Sequence, residues 1–157
     1  MDQLVEDKKY IQECINLSKK AAGKGDNPFG AVIVGGKFIF KGLNNIRNNE
    51  VSNHAEIIVM RKAQKRLKTS DLSSFTIYSI MEPCPMCSFM IRELKFKRVV
   101  YSLFSPYFGG YSKWSILQDK SLSKLKPVFA DPPQITPGVL HHESKKLFDS
   151  LGWTIHS

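Results

Sequence analysis

Apolar residues first recur at helical spacing: Ile11, Ile15, Ser18 and Ala22 stack at i, i+4, i+7 and i+11 and predict a helix from about Leu4 to Ala22. Gly23, Gly25, Asp26, Asn27 and Pro28 break it. Ala31-Val32-Ile33-Val34 and Lys37-Phe38-Ile39-Phe40 then predict two strands, joined by Gly35-Gly36 as a two-residue hairpin turn. Gly42 to Asn53 is polar and reads as loop. A second helix is expected from near His54 to about Leu67, capped by Asn53 or Ser52. Phe75 to Ile80 has the composition of a buried strand; Pro83 and Pro85 end it, and Pro85 suits the first turn of a third helix reaching about Leu94. Arg98-Val99-Val100-Tyr101 is another strand, and the aromatic, glycine-containing stretch Phe104 to Trp114 reads as a loop entering a short helix. Lys120 to Pro137 shows only a short strand around Gln134 to Thr136. A last helix over His142 to Leu151 is expected to bury Leu147, Phe148 and Leu151.

Strands alternating with helices predict an α/β sandwich, and the opening hairpin makes its sheet mixed. A chain of 157 residues suits one domain over 1–157, and 42% apolar with 11% aromatic content supplies its core. No run approaches the roughly 18 apolar residues of a membrane helix, and the opening residues lack the pattern of a secretory signal. A cytoplasmic location is the expectation. The three cysteines agree, since two stand in C-x-x-C spacing, which in a reducing compartment suggests metal or redox chemistry over a disulfide. The net charge of +9 favours phosphates or nucleic acid as partners. The cations are spread along the chain, however, and the densest run, Arg61 to Lys68, equally fits the solvated face of a helix.

Two short motifs carry the chemistry: His54-Ala55-Glu56 and Pro83-Cys84-Pro85-Met86-Cys87. P-C-x-x-C is expected about 0.003 times by accident at this composition, whereas H-x-E is expected about 0.2 times and is weak alone. A second H-x-E, His141-His142-Glu143, follows the cysteines and opens a different helix, so it is set aside; His141, His142 and His156 are expected to face solvent. Each motif sits where a helix begins. A helix of about 14 residues carries the chain about 21 Å away and a strand returns it, so two helix N-termini can meet at one end of the sheet. Cys84 and Cys87, three residues apart, share a face of the first turn. Partial positive charge there lowers thiol pKa and favours metal-binding thiolates. His54, Cys84 and Cys87 suit one tetrahedral Zn²⁺ per chain with water as the fourth ligand, the mark of a catalytic site. Glu56 stands close enough to carry protons without being a ligand. A structural zinc would want Cys14 as fourth ligand, but that residue lies on the first helix, where a buried free thiol is the simpler role.

This pattern is the zinc nucleobase deaminase signature. The chain resembles the cytidine deaminase-like superfamily, in the branch holding guanine deaminases, yeast-type cytosine deaminase and tRNA adenosine deaminases. The likeness runs from Asn27-Pro28-Phe29-Gly30-Ala31 through Gly42-Leu43-Asn44, both zinc motifs and Arg98-Val99-Val100-Tyr101. It implies a three-layer α/β/α sandwich with a five-stranded sheet, and a homodimer. By position, it implies that His54, Cys84 and Cys87 hold zinc while Glu56 shuttles protons. Activated water would attack the amidine carbon bearing the amine, Glu56 would protonate the ring nitrogen and then the leaving amine, and ammonia would depart. Asn44 matches an asparagine that hydrogen-bonds the base, and Phe29 and Ala55 line the base pocket, although Asn44 also suits a turn and Phe29 the core. Phe108 and Trp114 are the first candidates for a stacking lid, with Tyr107 and Trp153 behind them; Trp153 equally suits packing of the last helix.

The resemblance divides over the base. Asn27 to Val34, with Glu82 to Cys87, is more similar to guanine deaminases, because tRNA adenosine deaminases usually carry valine where Phe29 stands. The acidic residues that guanine deaminases place after the fourth strand are missing from Phe104 to Trp114, and Ile135 to Glu143 resembles the tRNA-editing form. Positive charge fits a phosphate-bearing substrate, but the chain ends soon after the last helix, without a long basic helix to grip a tRNA stem. A small-molecule nucleobase, a purine such as guanine, is therefore the first expectation. tRNA adenosine, converted to inosine, is the alternative, and a cytosine or cytidine-type substrate the third. A basic RNA-binding module with a structural zinc is the non-enzymatic reading, and predicts four protein ligands.

Overall fold

The computed structural model describes residues 2–47 and 49–153. Helix α1 (Gln3–Gly23) is followed by β1 (Gly30–Gly35), β2 (Phe38–Leu43), α2 (Ala55–Leu67), β3 (Thr76–Met81), α3 (Pro85–Glu93), β4 (Arg98–Leu103), β5 (Gln134–Thr136) and α4 (His141–Ser150). The five strands form one sheet in the order β2-β1-β3-β4-β5. β1 runs antiparallel to β2 and β3, whereas β3, β4 and β5 run parallel, so the sheet is mixed.

Alternation along the strands divides the core in two. Ala31, Ile33, Ile77, Val99 and Tyr101 pack on one face beneath Ile57, Val59 and Met60 of α2 and Cys87 and Ile91 of α3. Val32, Tyr78, Ile80 and Val100 pack on the other, beneath Tyr10, Ile11, Cys14 and Ile15 of α1 and Phe148 of α4. This is the three-layer α/β/α sandwich. The buried face of α1 ends on Ala21, with Ala22 half-buried; in α4 Phe148 is buried, Leu147 half-buried and Leu151 exposed, contrary to expectation. No helix among the described residues is long and apolar enough to cross a membrane.

Several boundaries correct the sequence pattern. The hairpin turn is Gly36-Lys37, because Gly35 still pairs with Phe38. A Cβ on Gly35 would lie 2.3 Å from the Phe75 ring, so that glycine serves close packing, while Gly36, at φ 54°, makes the turn. β2 continues through Gly42 and Leu43, which the polar pattern assigns to loop. The stretch 104–119 contains turns and no helix; the first helical segment after β4 is 3₁₀, at Lys120–Leu125. Backbone carbonyls of Ile116, Asp119 and Ala130 instead close around the buried Arg92 guanidinium at 2.8, 2.8 and 3.1 Å.

A buried ion pair ties α1 to the sheet. Arg98 donates through both terminal nitrogens to Asp7, each at 2.6 Å, and Tyr78 donates to the same carboxylate at 3.0 Å. The two side chains are 8% and 2% exposed. Removing one partner of such a pair strands the other charge in the core. Asp7→Ala is expected to lower the unfolding free energy by about 3 kcal/mol in a urea titration; a loss below about 1 kcal/mol would place the pair among surface bridges.

Candidate metal centre

β3 ends at Met81, and Glu82-Pro83 lead directly into α3, whose first turn opens at Cys84-Pro85. α2 starts at Ala55 with His54 in the N-cap position. Both helix N-termini meet at one end of the sheet. His54 Nδ1 stands 3.6 Å from Cys84 Sγ and 3.6 Å from Cys87 Sγ. Zinc bonds of about 2.3 Å to sulfur and about 2.0 to 2.1 Å to nitrogen, set at the tetrahedral angle, hold such donors about 3.6 Å apart. The donor spacing therefore fits zinc. Among the described residues these three form the one metal-competent cluster of histidine, cysteine or acidic side chains. Cys14 is buried and free on α1, outside it.

The cysteines divide one proton unequally. The hydrogen bond with Cys87, then burial acting in opposition, then the bond with His54 set the Cys84 thiol, whose pKa falls to about 4. The bond with Cys84 and burial push the Cys87 thiol up. His54 is raised, first by its bond with Cys84. A thiolate at Cys84 is thus ready for a cation before any ion arrives.

Glu56 is 6% exposed and sits in the first turn of α2, two residues after His54. Burial raises its pKa, opposed by the Ser79 hydroxyl, which donates to Oε1 at 2.5 Å. The second oxygen, Oε2, lies 3.6 Å from Cys87 Sγ, beside the metal donors. A carboxyl group raised in this way holds a proton more readily than an ordinary glutamate and can accept and release one beside the metal donors.

Neither Asn53 nor Ser52 caps α2, correcting the expectation. His54 occupies the cap position, but its imidazole faces the thiols and makes no capping bond. The helix takes its acceptor from another loop: Asn44 Oδ1 receives the Ala55 amide at 3.1 Å. Asn53 instead donates to Glu50 at 2.6 Å and accepts from Arg61 at 3.2 Å. Asn44 is anchored in turn by Asp26, to which its Nδ2 donates at 3.1 Å.

A cavity of about 210 Å³ opens beside the donors, lined by Phe29, Asn44, His54, Glu56, Cys84, Phe108 and Trp153 among others. The structure thus brings His54, Glu56, Cys84, Asn44, Phe29 and Phe108 together. Cys87 lies buried behind them. Ala55 is wholly buried, its amide engaged with Asn44, and is not part of the lining. Trp114 is 51% exposed, lies outside the lining, and stacks with Lys113 at 5.6 Å. Tyr107 is exposed, and Trp153 takes the place expected for Trp114. His142 is exposed and His141 half-buried; His156 lies outside the described residues.

Trp153 reaches the cavity through the way α4 ends. Gly152, at φ 76°, donates to Asp149 at 3.1 Å and Trp153 donates to Phe148 at 3.0 Å, the paired bonds of a Schellman motif. The accompanying contact is aromatic: Trp153 meets Phe148 at 5.9 Å and Phe29 at 5.5 Å, both nearly edge-on. The glycine just past the periodic residues of the last helix is the sequence signal for this placement. Glu82, also in the lining, pins the following loop, accepting from the amides of Ser105, Tyr111 and Ser112 at 3.1, 3.0 and 2.8 Å.

Residues 4–103 match the family described as the cytidine and deoxycytidylate deaminase zinc-binding region. The chain belongs to this family of zinc-dependent deaminases. It is 34% identical over 144 residues to the tRNA-specific adenosine deaminase of Bacillus subtilis, covering 89% of this chain and 84% of that one. A solved structure from a study of A-to-I editing by tRNA:A34 deaminases at the wobble position superposes with a TM-score of 0.73 at 25% identity, over 88% and 98% of the two chains. A guanine deaminase from Nitrosomonas europaea shares the fold, with a TM-score of 0.70 at 18% identity over 91% and 82%.

Asp26 offers a pH test of the loop that holds Asn44. Burial alone would raise its pKa, but hydrogen bonds from Asn44 and the amides of Asn27, Arg47 and Ile46 bring it below the ordinary carboxylate value. A depressed carboxylate stabilises the fold above its unfolded pKa of about 3.9 and loses that contribution as pH falls through the folded value. Hydrogen-exchange protection of the Ile46 amide is expected to hold above about pH 4 and to fall below it, and Asp26→Asn to remove that acid-dependent step. A step retained in the variant would assign it elsewhere.

Proposed function

We propose that this chain is a zinc-dependent hydrolytic deaminase that converts adenosine in a structured RNA, such as a tRNA anticodon loop, to inosine. The observation that carries the substrate is the 34% identity to a tRNA-specific adenosine deaminase along nearly the whole of both chains. Likeness to guanine deaminases rests on fold, at 18% identity for the Nitrosomonas europaea enzyme, so the free-guanine expectation yields to the alternative.

The cavity's chemistry supports the same choice. Guanine presents N–H donors beside the amine to be removed, and acidic acceptors would be needed to meet them. Two acidic residues line the cavity. Glu82 is saturated by three backbone amides and the Ser112 hydroxyl, which leaves Glu56 for chemistry. Phe29, Phe108 and Trp153 offer aromatic faces and edges to an unstacked base. The Asn44 side chain keeps one N–H and one lone pair beyond its bonds to Ala55 and Asp26, enough to orient a base edge.

Zinc held by His54, Cys84 and Cys87 would supply Lewis-acid activation of a water molecule. Glu56 Oε2, beside the metal donors, would take a proton from the attacking water and deliver it to the ring nitrogen beside the amine-bearing carbon. It then passes the second proton to the departing amine, so water and the aminopurine become the oxo-purine and ammonia. Ser79 holds Oε1 and keeps Oε2 turned to the reacting atoms. Phe29 and Trp153 form an apolar wall of the cavity in which these transfers take place.

Zinc-loaded protein is expected to form inosine in an anticodon stem-loop carrying adenosine at the wobble position, read by mass spectrometry. Glu56→Gln is expected to slow this by about 10²- to 10⁴-fold with zinc retained. Ammonia release from free guanine, without inosine in the RNA, would overturn the substrate.

A further inference from the structure

Directly behind the base cavity lies a second one of about 220 Å³, polar in character, with Asn44 as the wall common to both. Its rim carries Lys24, Arg47 and Lys62, contributed by the end of α1, the loop after β2 and the outer side of α2. We propose that this second cavity is a phosphate subsite that takes a backbone phosphodiester of the RNA next to the adenosine being deaminated, a proposal that rests on the RNA reading above.

The charges are uncompensated. Ion pairs do occur on the surface, as in Lys41 with Glu13 at 2.9 Å and Lys145 with Asp149 at 2.8 Å. Lys24, Arg47 and Lys62 make no ion pair among the described residues. Two of them are held in position by neutral carbonyls. Lys62 Nζ donates to the Lys41 carbonyl at 2.7 Å, and the Arg47 guanidinium donates to the Lys24 carbonyl. Each keeps further N–H donors free, and a neutral acceptor leaves the positive charge intact.

Asp26, the acid in this lining, does not neutralise the rim by contact. Its Oδ1 accepts from the Asn27 amide at 2.7 Å and Asn44 Nδ2 at 3.1 Å; its Oδ2 accepts from the amides of Ile46 at 2.9 Å and Arg47 at 3.3 Å. The carboxylate therefore shapes the loop that presents Arg47. Three cations less one anion leave the lining at +2, enough for a phosphodiester bearing a single negative charge. A guanidinium and two ammonium groups around a polar concavity recognise phosphate oxygens through charge-assisted hydrogen bonds. The shared Asn44 sets that position against the base. Its Oδ1 holds the start of the metal-bearing helix, and its Nδ2 holds the acid beneath the cations. One amide side chain thus joins the register of the base to the register of the backbone.

The test is a binding cycle on the full chain, independent of turnover. A fluorescent anticodon stem-loop is titrated by anisotropy with wild type, with Arg47→Gln/Lys62→Gln, and with Lys19→Gln/Lys146→Gln, which removes equal charge from the α1–α4 groove. Each is repeated with stem-loops carrying one neutral methylphosphonate, moved stepwise along the phosphates around the adenosine. For wild type, one flanking position is expected to weaken binding about tenfold, and for the groove variant likewise. For Arg47→Gln/Lys62→Gln that position is expected to have no effect, and the slope of log affinity against log salt to become shallower by about 0.7 for each phosphate no longer neutralised. Competition by inorganic phosphate in place of RNA, with no methylphosphonate effect, would assign the cavity to a free anion and overturn the proposal. Equal methylphosphonate sensitivity in all three proteins, or no binding of the stem-loop, would overturn it too. Inosine is measured on the same samples, so an intact cycle without inosine would fault the deamination reading and leave the subsite standing.

Discussion

One nitrogen must stand 3.6 Å from each of two sulfur atoms at the junction of two helices, and much of the molecule answers to that requirement. The parallel pair β3–β4 and the strand–helix turns around it bring the N-termini of α2 and α3 to one end of the sheet. Both helices then give up their own caps, since His54 and Cys84 occupy the cap positions and turn their side chains to each other. The deficit is met from outside. Asn44 supplies an acceptor to α2, and Pro85 at the start of α3 removes one amide that would need a partner. Local rules of helix design are broken where the chemistry is, and compensated by the loops nearby.

That compensation explains what sequence pattern can and cannot reveal. The ligands and Glu56 are legible because metal chemistry demands particular residue types at particular spacings. The elements are legible from periodicity. Local pattern assigns the α2 cap to Asn53 or Ser52, because the true acceptor, Asn44, lies in a distant loop that no nearby residue encodes. Gly35 and Gly36 look like one turn, although the first is a packing contact with Phe75. The stretch after β4 suggests a helix, but its carbonyls turn inward to Arg92 and its amides to Glu82, contacts 24 to 38 and 23 to 30 residues apart in the chain. Aromatic content alone favours Trp114 over Trp153 for the lid. The reversal depends on a Schellman end to α4, whose Gly152 is visible in the sequence but whose direction is not.

The same loops that repair the helix ends define the two cavities. Asp26 and Asn44 organise the segment carrying Arg47; Glu82 organises the segment carrying Phe108; α4 delivers Trp153 against Phe29. Under the proposed function, base handling and backbone handling are built on the supports that hold the metal ligands. The net charge of +9, uninformative while spread along the chain, acquires meaning where three unpaired cations gather beside the base cavity. A site reached by an RNA loop needs aromatic faces for the base and fixed charge for the phosphates.

The central claim is an open zinc site with three protein ligands, and X-ray absorption at the zinc edge of the purified chain tests it most directly. The account predicts one zinc per chain, with two sulfur neighbours at about 2.3 Å and two nitrogen or oxygen neighbours at about 2.0 to 2.2 Å, one of them an exchangeable water. A third sulfur neighbour, or a shell of four protein donors, would make the zinc structural and contradict the enzyme.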